Sequence, residues 1–324
     1  MPLIPSSTYR APWFFRQAHL NTIIPALLRP VAPLPYERTT PHTPDDDFVD
    51  LDWLTAGHDR LVIALHGLEG SADRPYIRGL MQYFTTRGWD GLAFNFRSCS
   101  GRPNRQIRSY HMGATADVKL AVGHALEQGY REIALVGFSL GGNVLLKYFG
   151  EEGEQLPAAV IGGVAFSVPC HIPTANVAIA HRQNRLYLWR FLKTLNRKMA
   201  EKVRRFPNQL SLPARMPRSF YEFDDFFTGP MHGFRGAEHY WESCSSLNFM
   251  PDIHRPVLLV NAQDDTFLSP SCFPVELARQ HDFLFLETPS HGGHCGFMSF
   301  DEEGGIWSEQ RAWVFLEQYS QGQS

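Results

Sequence analysis

Hydrophobic and polar positions follow different rules in different parts of the chain. Over residues 61–168, and again over 257–319, short aliphatic runs alternate with longer stretches whose apolar residues recur every three or four positions. The runs have the length and β-branching of buried strands, and the stretches between them have the period of helices. Strands are expected at 61–65, 91–96, 132–137, 158–168, 257–261 and 283–286, and helices at 76–87, 115–128, 140–149, 271–280 and 307–319. Near-continuous strands alternating with helices imply an α/β fold with a mostly parallel sheet covered on both faces. Ahead of this region, 36–40 and 48–54 read as a hairpin around a turn at 41–47, the second strand alternating Phe48, Asp50 and Asp52 with Val49, Leu51 and Trp53. The first thirty-five residues are Pro-rich and carry two apolar clusters, Trp13-Phe14-Phe15 and Leu20, Ile23, Ile24, Leu27, Leu28. They read as a segment packed on the body.

The alternation stops over 170–246, where the chain becomes helical, basic and aromatic, as expected of a cap inserted after a core strand. The expected organisation is therefore 1–169 as the N-terminal segment and first part of the core, 170–246 as a helical cap, and 247–324 as the second part of the core. From Arg182 to Arg218 the cap holds eleven Arg or Lys against the single acid Glu201, interleaved with Leu186, Tyr187, Leu188, Trp189, Phe191 and Leu192. The preferred reading is a lid whose apolar stripe covers a site and whose basic face is solvated; contact with an anionic membrane surface is the second reading. Either way the aromatic lining implies an apolar acyl pocket, which Trp13-Phe14-Phe15 are expected to complete.

Composition narrows the class. The 324 residues are 44% hydrophobic and 19% charged, which excludes disordered and fibrous chains, and a net charge of −3 gives no general reason to expect nucleic acid as a partner. Five cysteines, an odd number without C-x-x-C spacing, read as thiols of a cytoplasmic protein, and no secretory signal is recognised at the start. The longest stretch without Asp, Glu, Lys or Arg, 155–180, contains Pro157, Pro169, Pro173, His171 and Asn176. A buried strand followed by a turn explains it better than a membrane span.

The chemistry is concentrated at strand ends. Ile133-Ala134-Leu135-Val136 runs into Gly137-Phe138-Ser139-Leu140-Gly141-Gly142 and then a helical pattern. A G-x-S-x-G between strand and helix is what a nucleophile elbow requires, with Ser139 on a sharp turn. A serine hydroxyl needs a base, and the base an orienting acid. After strand 257–261 come Asp264 and Asp265, of which Asp265 is chosen as the acid and Asp264 as a turn-stabilising group. After strand 283–286 comes Ser290-His291-Gly292-Gly293-His294, with His294 chosen as the base and His291 as a loop residue. Leu68, after His66-Gly67, and Leu140, after the nucleophile, are the expected N–H donors of an oxyanion hole, with His66 ordering the loop. No cofactor or metal is expected: the spacing of His291, His294 and Cys295 matches no metal motif.

Taken together, His19-Leu20-Asn21-Thr22-Ile23, His66-Gly67-Leu68-Glu69-Gly70-Ser71, Asn95-Phe96-Arg97-Ser98-Cys99-Ser100-Gly101, Ser109-Tyr110-His111, the Gly137-to-Asn143 elbow, Phe223-Asp224-Asp225 and His291-Gly292-Gly293-His294 resemble the YheT-like branch of the α/β-hydrolase superfamily, also called α/β-hydrolase family 4. The resemblance covers most of the chain and implies the α/β-hydrolase fold, a Ser-Asp-His triad falling on Ser139, Asp265 and His294, and hydrolysis of carboxylic esters or lipids. Ser98 stands where that family has glycine, and Thr266 follows the acid where it has proline. The expected activity is a serine esterase for short- to medium-chain acyl esters. A membrane-associated lipase or phospholipase, or a non-catalytic binding protein of the same fold, are the alternatives. Asn95, Arg97, Tyr110, His111 and Asp117 are read as a polar network supporting the site, or else as a binding surface for a polar head group.

Overall fold

A computed structural model describes residues 3–300 and 305–320. Helix α1 (Ala18–Leu28) precedes the hairpin β1 (Glu37–Thr39) and β2 (Asp50–Leu54). The core alternation follows as β3 (Arg60–Leu65), α2 (Pro75–Thr85), β4 (Asp90–Asn95), α3 (Thr115–Glu127), β5 (Glu132–Phe138), α4 (Leu140–Glu152) and β6 (Val160–Phe166). Helices α5 (Ile172–Ala180), α6 (Arg185–Arg205), α7 (Phe220–Phe223), α8 (Gly229–His232) and α9 (Ala237–Cys244) interrupt it, a π-helical turn over Asp224–Thr228 joining α7 to α8. The core closes with β7 (Val257–Val260), α10 (Val275–Gln280), β8 (Leu284–Glu287) and α11 (Trp307–Glu317).

The strands form one sheet in the order β1-β2-β4-β3-β5-β6-β7-β8, antiparallel from β1 to β4 and parallel from there on. Side-chain alternation splits the interior into two cores: Leu61, Ile63, Ile133, Leu135 and Leu259 point into one, and Val62, Ala64, Val136, Val164 and Val260 into the other. Both faces are thus covered, and every functional loop emerges from the carboxyl ends of β3, β5, β7 and β8. This is the mostly parallel α/β sheet expected from the alternation, in the α/β-hydrolase arrangement that the resemblance implies.

Three local features go beyond or differ from the expectations. The alternating acids of β2 are both buried, Asp50 pairing with Arg102 and Asp52 with Arg38 and Asn95. Alternation identifies which side chains share a face, but not that a loop will cover it. The helix expected at 271–280 starts only at Val275, after a 3-10 turn at Pro270–Cys272, because Pro274 disfavours helical geometry in Phe273. The N-terminal segment packs on the body as expected, but through a helix, and Leu3 forms a parallel bridge to Leu286 of β8.

Candidate active site

Strand β5 delivers Ser139 at φ 52°, ψ −115°, outside the helical region that begins at the next residue. The strain is held because Ser139 N–H donates to Phe166 O at 2.8 Å and strand and helix approach too closely for side chains. A Cβ on Gly137 would lie 2.6 Å from Gly141 O, and one on Gly141 would lie 2.3 Å from Leu65 O. The hydroxyl is thereby presented at the N-terminus of α4.

His294 Nε2 lies 2.9 Å from Ser139 Oγ and its Nδ1 lies 2.9 Å from Asp265 Oδ2. The other carboxylate oxygen of Asp265 accepts the N–H of Phe267 at 2.9 Å, fixing the acid in its turn. Asp264 takes a different part: its Oδ1 accepts Gly293 N–H at 2.9 Å, and its Oδ2 is 3.5 Å from His291 Nδ1, which ties the acid's loop to the histidine's loop. Burial disfavours the charged form of His294, but the Asp265 carboxylate and Cys295 together outweigh it and hold the imidazole pKa above its ordinary range. With Nδ1–H donated to Asp265, the neutral ring has Nε2 free to accept from Ser139, the polarity a general base needs.

Two backbone donors converge near the serine. Leu140 is the first residue of α4, so its N–H has no intrahelical acceptor. In the loop after β3, Gly67 N–H donates to Tyr76 Oη at 3.0 Å and Glu69 N–H to Tyr110 Oη at 2.9 Å. The N–H between them, on Leu68, has no acceptor among the described residues. The tyrosines clamp the loop on either side of one free donor. His66 is fully buried and pushed down to about 3 by that burial; its Nδ1–H donates to Gly67 O and its Nε2 accepts Phe96 N–H, so it orders the loop as a neutral ring.

A cavity of about 360 Å³ opens over Ser139 and His294. Its walls combine Ile172, Ile179, Leu195, Phe223 and Phe227 of the inserted helices with Leu68 and Leu140 of the core. The N-terminal aromatics do not complete it: Trp13 is exposed, and Phe14 and Phe15 stack against Phe300. That expectation took apolar residues to seek the pocket, whereas α1 carries the segment to the outside of the histidine loop. Of the polar group at 95–117, Tyr110 and His111 line the cavity. Arg97 instead pairs with Asp117 and Asp45 away from it, and Asn95 braces Asp52 and Ala72.

Several supporting contacts had no signal in pattern or spacing, although Asn21 and Thr22 belong to a segment that carries the family resemblance. Thr22 Oγ1 accepts His294 N–H at 2.9 Å and Asn21 Oδ1 accepts Met298 N–H at 3.1 Å, so α1 grips the histidine loop from a distance of over 270 residues along the chain. Ser167, at φ 53°, accepts Cys295 N–H through Oγ at 2.8 Å. The two departures from the family pattern acquire local reasons. Ser98 sits at φ 63°, the conformation for which glycine is the ordinary choice, and its Oγ donates to Asn104 Oδ1 at 2.6 Å. Thr266 exchanges hydrogen bonds with Asn184 at 2.8 and 2.7 Å, fastening the acid's loop to the inserted helices.

Residues 60–301 match the alpha/beta hydrolase fold family. YheT of Escherichia coli (strain K12) is 34% identical over 327 residues, covering 96% of this chain and 93% of YheT. The mouse phospholipase ABHD3 is 27% identical over 95% of this chain and 76% of its own, and a monoacylglycerol lipase of Saccharomyces cerevisiae is 27% identical over 85% of this chain and 62% of its own. Among solved structures, the Pyrococcus furiosus esterase Pf2001 superposes with a TM-score of 0.60 at 19% identity, over 91% of this chain and 96% of that one, a likeness of fold. With the fold, the family match and the near-full-length similarity to YheT in agreement, the chain belongs to the α/β-hydrolase family and to its YheT-like branch.

Proposed function

We propose that the protein is a serine hydrolase of carboxylic esters, with Ser139 as nucleophile, His294 as general base and acid, and Asp265 as the orienting acid. The supporting observation is the continuous hydrogen-bonded line from Asp265 through His294 to Ser139. In the first half-reaction the Ser139 hydroxyl proton passes to His294 Nε2 as Oγ bonds to the ester carbonyl carbon. The carbonyl oxygen becomes an oxyanion that accepts from Leu68 and Leu140 N–H, donors worth about 10²–10³ in rate each. Collapse expels the alcohol, which takes the proton from His294. Water then attacks the acyl-enzyme with His294 as base, releasing the carboxylic acid and restoring Ser139. The apolar walls and size of the cavity favour a short- to medium-chain acyl group, with the helices over 170–246 acting as the lid.

A second reading, a lipase working at a lipid surface, is favoured by one observation. His19 Nδ1 and Tyr187 Oη lie 3.0 Å apart, which joins exposed Leu20, Leu27 and Leu28 of α1 to exposed Leu186 and Trp189 of α6. Arg182, Arg185, Arg190 and Lys193 are exposed on the same stretch, which has no Asp or Glu over 182–200. Similarity to a phospholipase and a monoacylglycerol lipase is consistent with it. Among the described residues no helix is long and apolar enough to cross a membrane.

A series of p-nitrophenyl esters from acetate to palmitate, run with wild type and Ser139→Ala, tests the primary reading. Activity absent from the variant and peaking at short or medium chains supports it; activity retained in the variant removes Ser139 from the mechanism. Co-sedimentation with vesicles of phosphatidylcholine and phosphatidylglycerol tests the second, which fails if the protein stays in the supernatant at low salt.

A further inference from the structure

Leu68, whose N–H is a proposed oxyanion donor, joins two peptide planes that are fixed from different parts of the molecule. The plane that carries Leu68 N–H also carries Gly67 O, because a peptide unit is rigid. Gly67 O accepts from His66 Nδ1 at 2.7 Å and from Gly70 N–H at 2.9 Å, so this plane is set by the loop itself. The next plane carries Glu69 N–H, which donates to Tyr110 Oη at 2.9 Å. The Tyr110 hydroxyl in turn donates to Glu69 Oε1 at 2.8 Å, and the same oxygen accepts from Lys198 Nζ at 2.8 Å. A line of hydrogen bonds therefore runs from an ammonium on α6 to the backbone beside the donor.

Two features make that line consequential. Glu69 sits at φ 54°, a left-handed conformation that a residue with a side chain holds only when its surroundings impose it. Two cations impose it here: Arg74, just before α2, donates to Glu69 O at 2.8 Å, and Lys198 holds the carboxylate. The first belongs to the core, whereas the second arrives with the inserted helices. The ion pair is also largely enclosed, the Glu69 side chain being 6% exposed and that of Lys198 26%. If α6 lifts, the carboxylate keeps its charge but loses its cation inside the protein, the costly way to break such a pair. Glu69 can relax by turning its side chain toward water or by leaving its left-handed conformation. Both loosen the Tyr110 hydroxyl that fixes Glu69 N–H.

We infer that Lys198 is a positioning residue through which docking of α6 sets the oxyanion loop, so that the geometry at Leu68 is complete only when the inserted helices are closed over the substrate. The inference rests on the serine hydrolase reading above and deepens it. Recognition then takes the form of induced fit. An acyl group that the closed cavity accommodates keeps Lys198 on Glu69, and one that props α6 away binds but reacts slowly.

The test uses Lys198→Met, Lys198→Arg and Tyr110→Phe with p-nitrophenyl octanoate and an alkyl trifluoromethyl ketone, whose adduct with a serine carries the oxyanion. Loss of one oxyanion donor costs about 10²–10³ in rate, so a displaced one in Lys198→Met is expected to lower kcat about tenfold to a hundredfold. KM should change little, inhibition by the ketone should weaken in proportion to kcat, and Lys198→Arg should recover most of the loss. Tyr110→Phe should reproduce the defect, and adding Lys198→Met to it should cost little more, as for two residues acting along one line. A rise in KM with kcat unchanged overturns the inference, because Lys198 would then only hold the inserted helices in place. Independent, multiplying losses in the double variant overturn it too. If wild type turns over no ester, the rate of fluorophosphonate labelling at Ser139 replaces kcat, since phosphonyl transfer places charge on the same donors. Slower labelling of Lys198→Met supports the inference, and equal rates overturn it while leaving the serine hydrolase reading standing. Absence of labelling overturns both.

Discussion

The core side of the site and the helices inserted over it are built in opposite ways. In the core each proposed reacting group is fixed by a backbone contact of its own: Ser139 by Phe166 O, Asp265 by Phe267 N–H, His294 by Thr22, and the loop around Leu68 by Tyr76 and Tyr110. The inserted helices are tied to the core by contacts that span long separations along the chain, Asn184 to Thr266 and Tyr240 to Met112 N–H among them. Lys202 Nζ donates to Asn104 Oδ1 and to the carbonyls of Gln106, Ile107 and Arg108 at 2.9 to 3.1 Å, Lys198 reaches Glu69, and His232 meets Ser109. Groups that must meet a transition state gain most from being preset, whereas a cover that admits substrate is better held by side-chain contacts that can release. The contrast assigns the chemistry to the core and selection of substrate to the junction between the two.

Four changes sharpen or break that contrast, in decreasing size of effect. Ser139→Ala is expected to lower kcat by up to about 10⁶ with the fold retained, as for a nucleophile acting within a unit; circular dichroism and a stopped ester assay check both halves. Asp265→Asn is expected to cost about 10⁴ in kcat, because the imidazole loses its orienting partner. It should also move the pH profile. His294 works as a base only when neutral, so activity falls as pH drops through its pKa, and the Asp265 carboxylate holds that pKa above the ordinary value of about 6.5. The acid limb of kcat/KM should therefore lie above pH 6.5 in wild type. It should shift downward in the variant, which loses the contribution of the Asp265 charge.

Thr22→Val removes the hydroxyl that receives His294 N–H while keeping the shape of the side chain. A positioning role predicts about a tenfold fall in kcat with KM little changed, the scale of one hydrogen bond; a larger rise in KM than fall in kcat would mean that α1 acts on the pocket instead. Lys202→Met leaves four acceptors of the 104–108 loop without their donor. It should speed amide exchange along α6 through about 1–3 kcal/mol of lost docking, and change KM more than kcat. An exchange pattern identical to wild type would show that the inserted helices are held by apolar packing alone.

The same contrast explains what could be read from the sequence. The sheet was legible because its buried strands are continuous aliphatic runs and its helices keep their period. Ser139, Asp265 and His294 were legible because each follows such a run and is marked by local residues, the glycines around Ser139 and His294 and the Asp264-Asp265 pair. The grip of Thr22 on His294 N–H and the clamping of Gly67 and Glu69 by two tyrosine hydroxyls leave no local trace: they depend on which distant backbone arrives beside an ordinary polar side chain. The basic run from Arg182 to Arg218 shows the limit most clearly. Composition suggested a solvated face, but Lys198 and Lys202 turn inward to carboxylate and carbonyl oxygens, while Leu186 and Trp189 turn outward. Net charge along a helix does not say which lysines find acceptors when it docks.

The most direct test of the central claim is to treat the protein with a fluorophosphonate and map the adduct by peptide mass spectrometry, with Asp265→Asn and His294→Ala alongside. The account predicts a single adduct on the peptide containing Ser139, formed rapidly in wild type and at least about a hundredfold more slowly when the base is removed. An adduct on another residue, or labelling of Ser139 at an undiminished rate without His294, would contradict it.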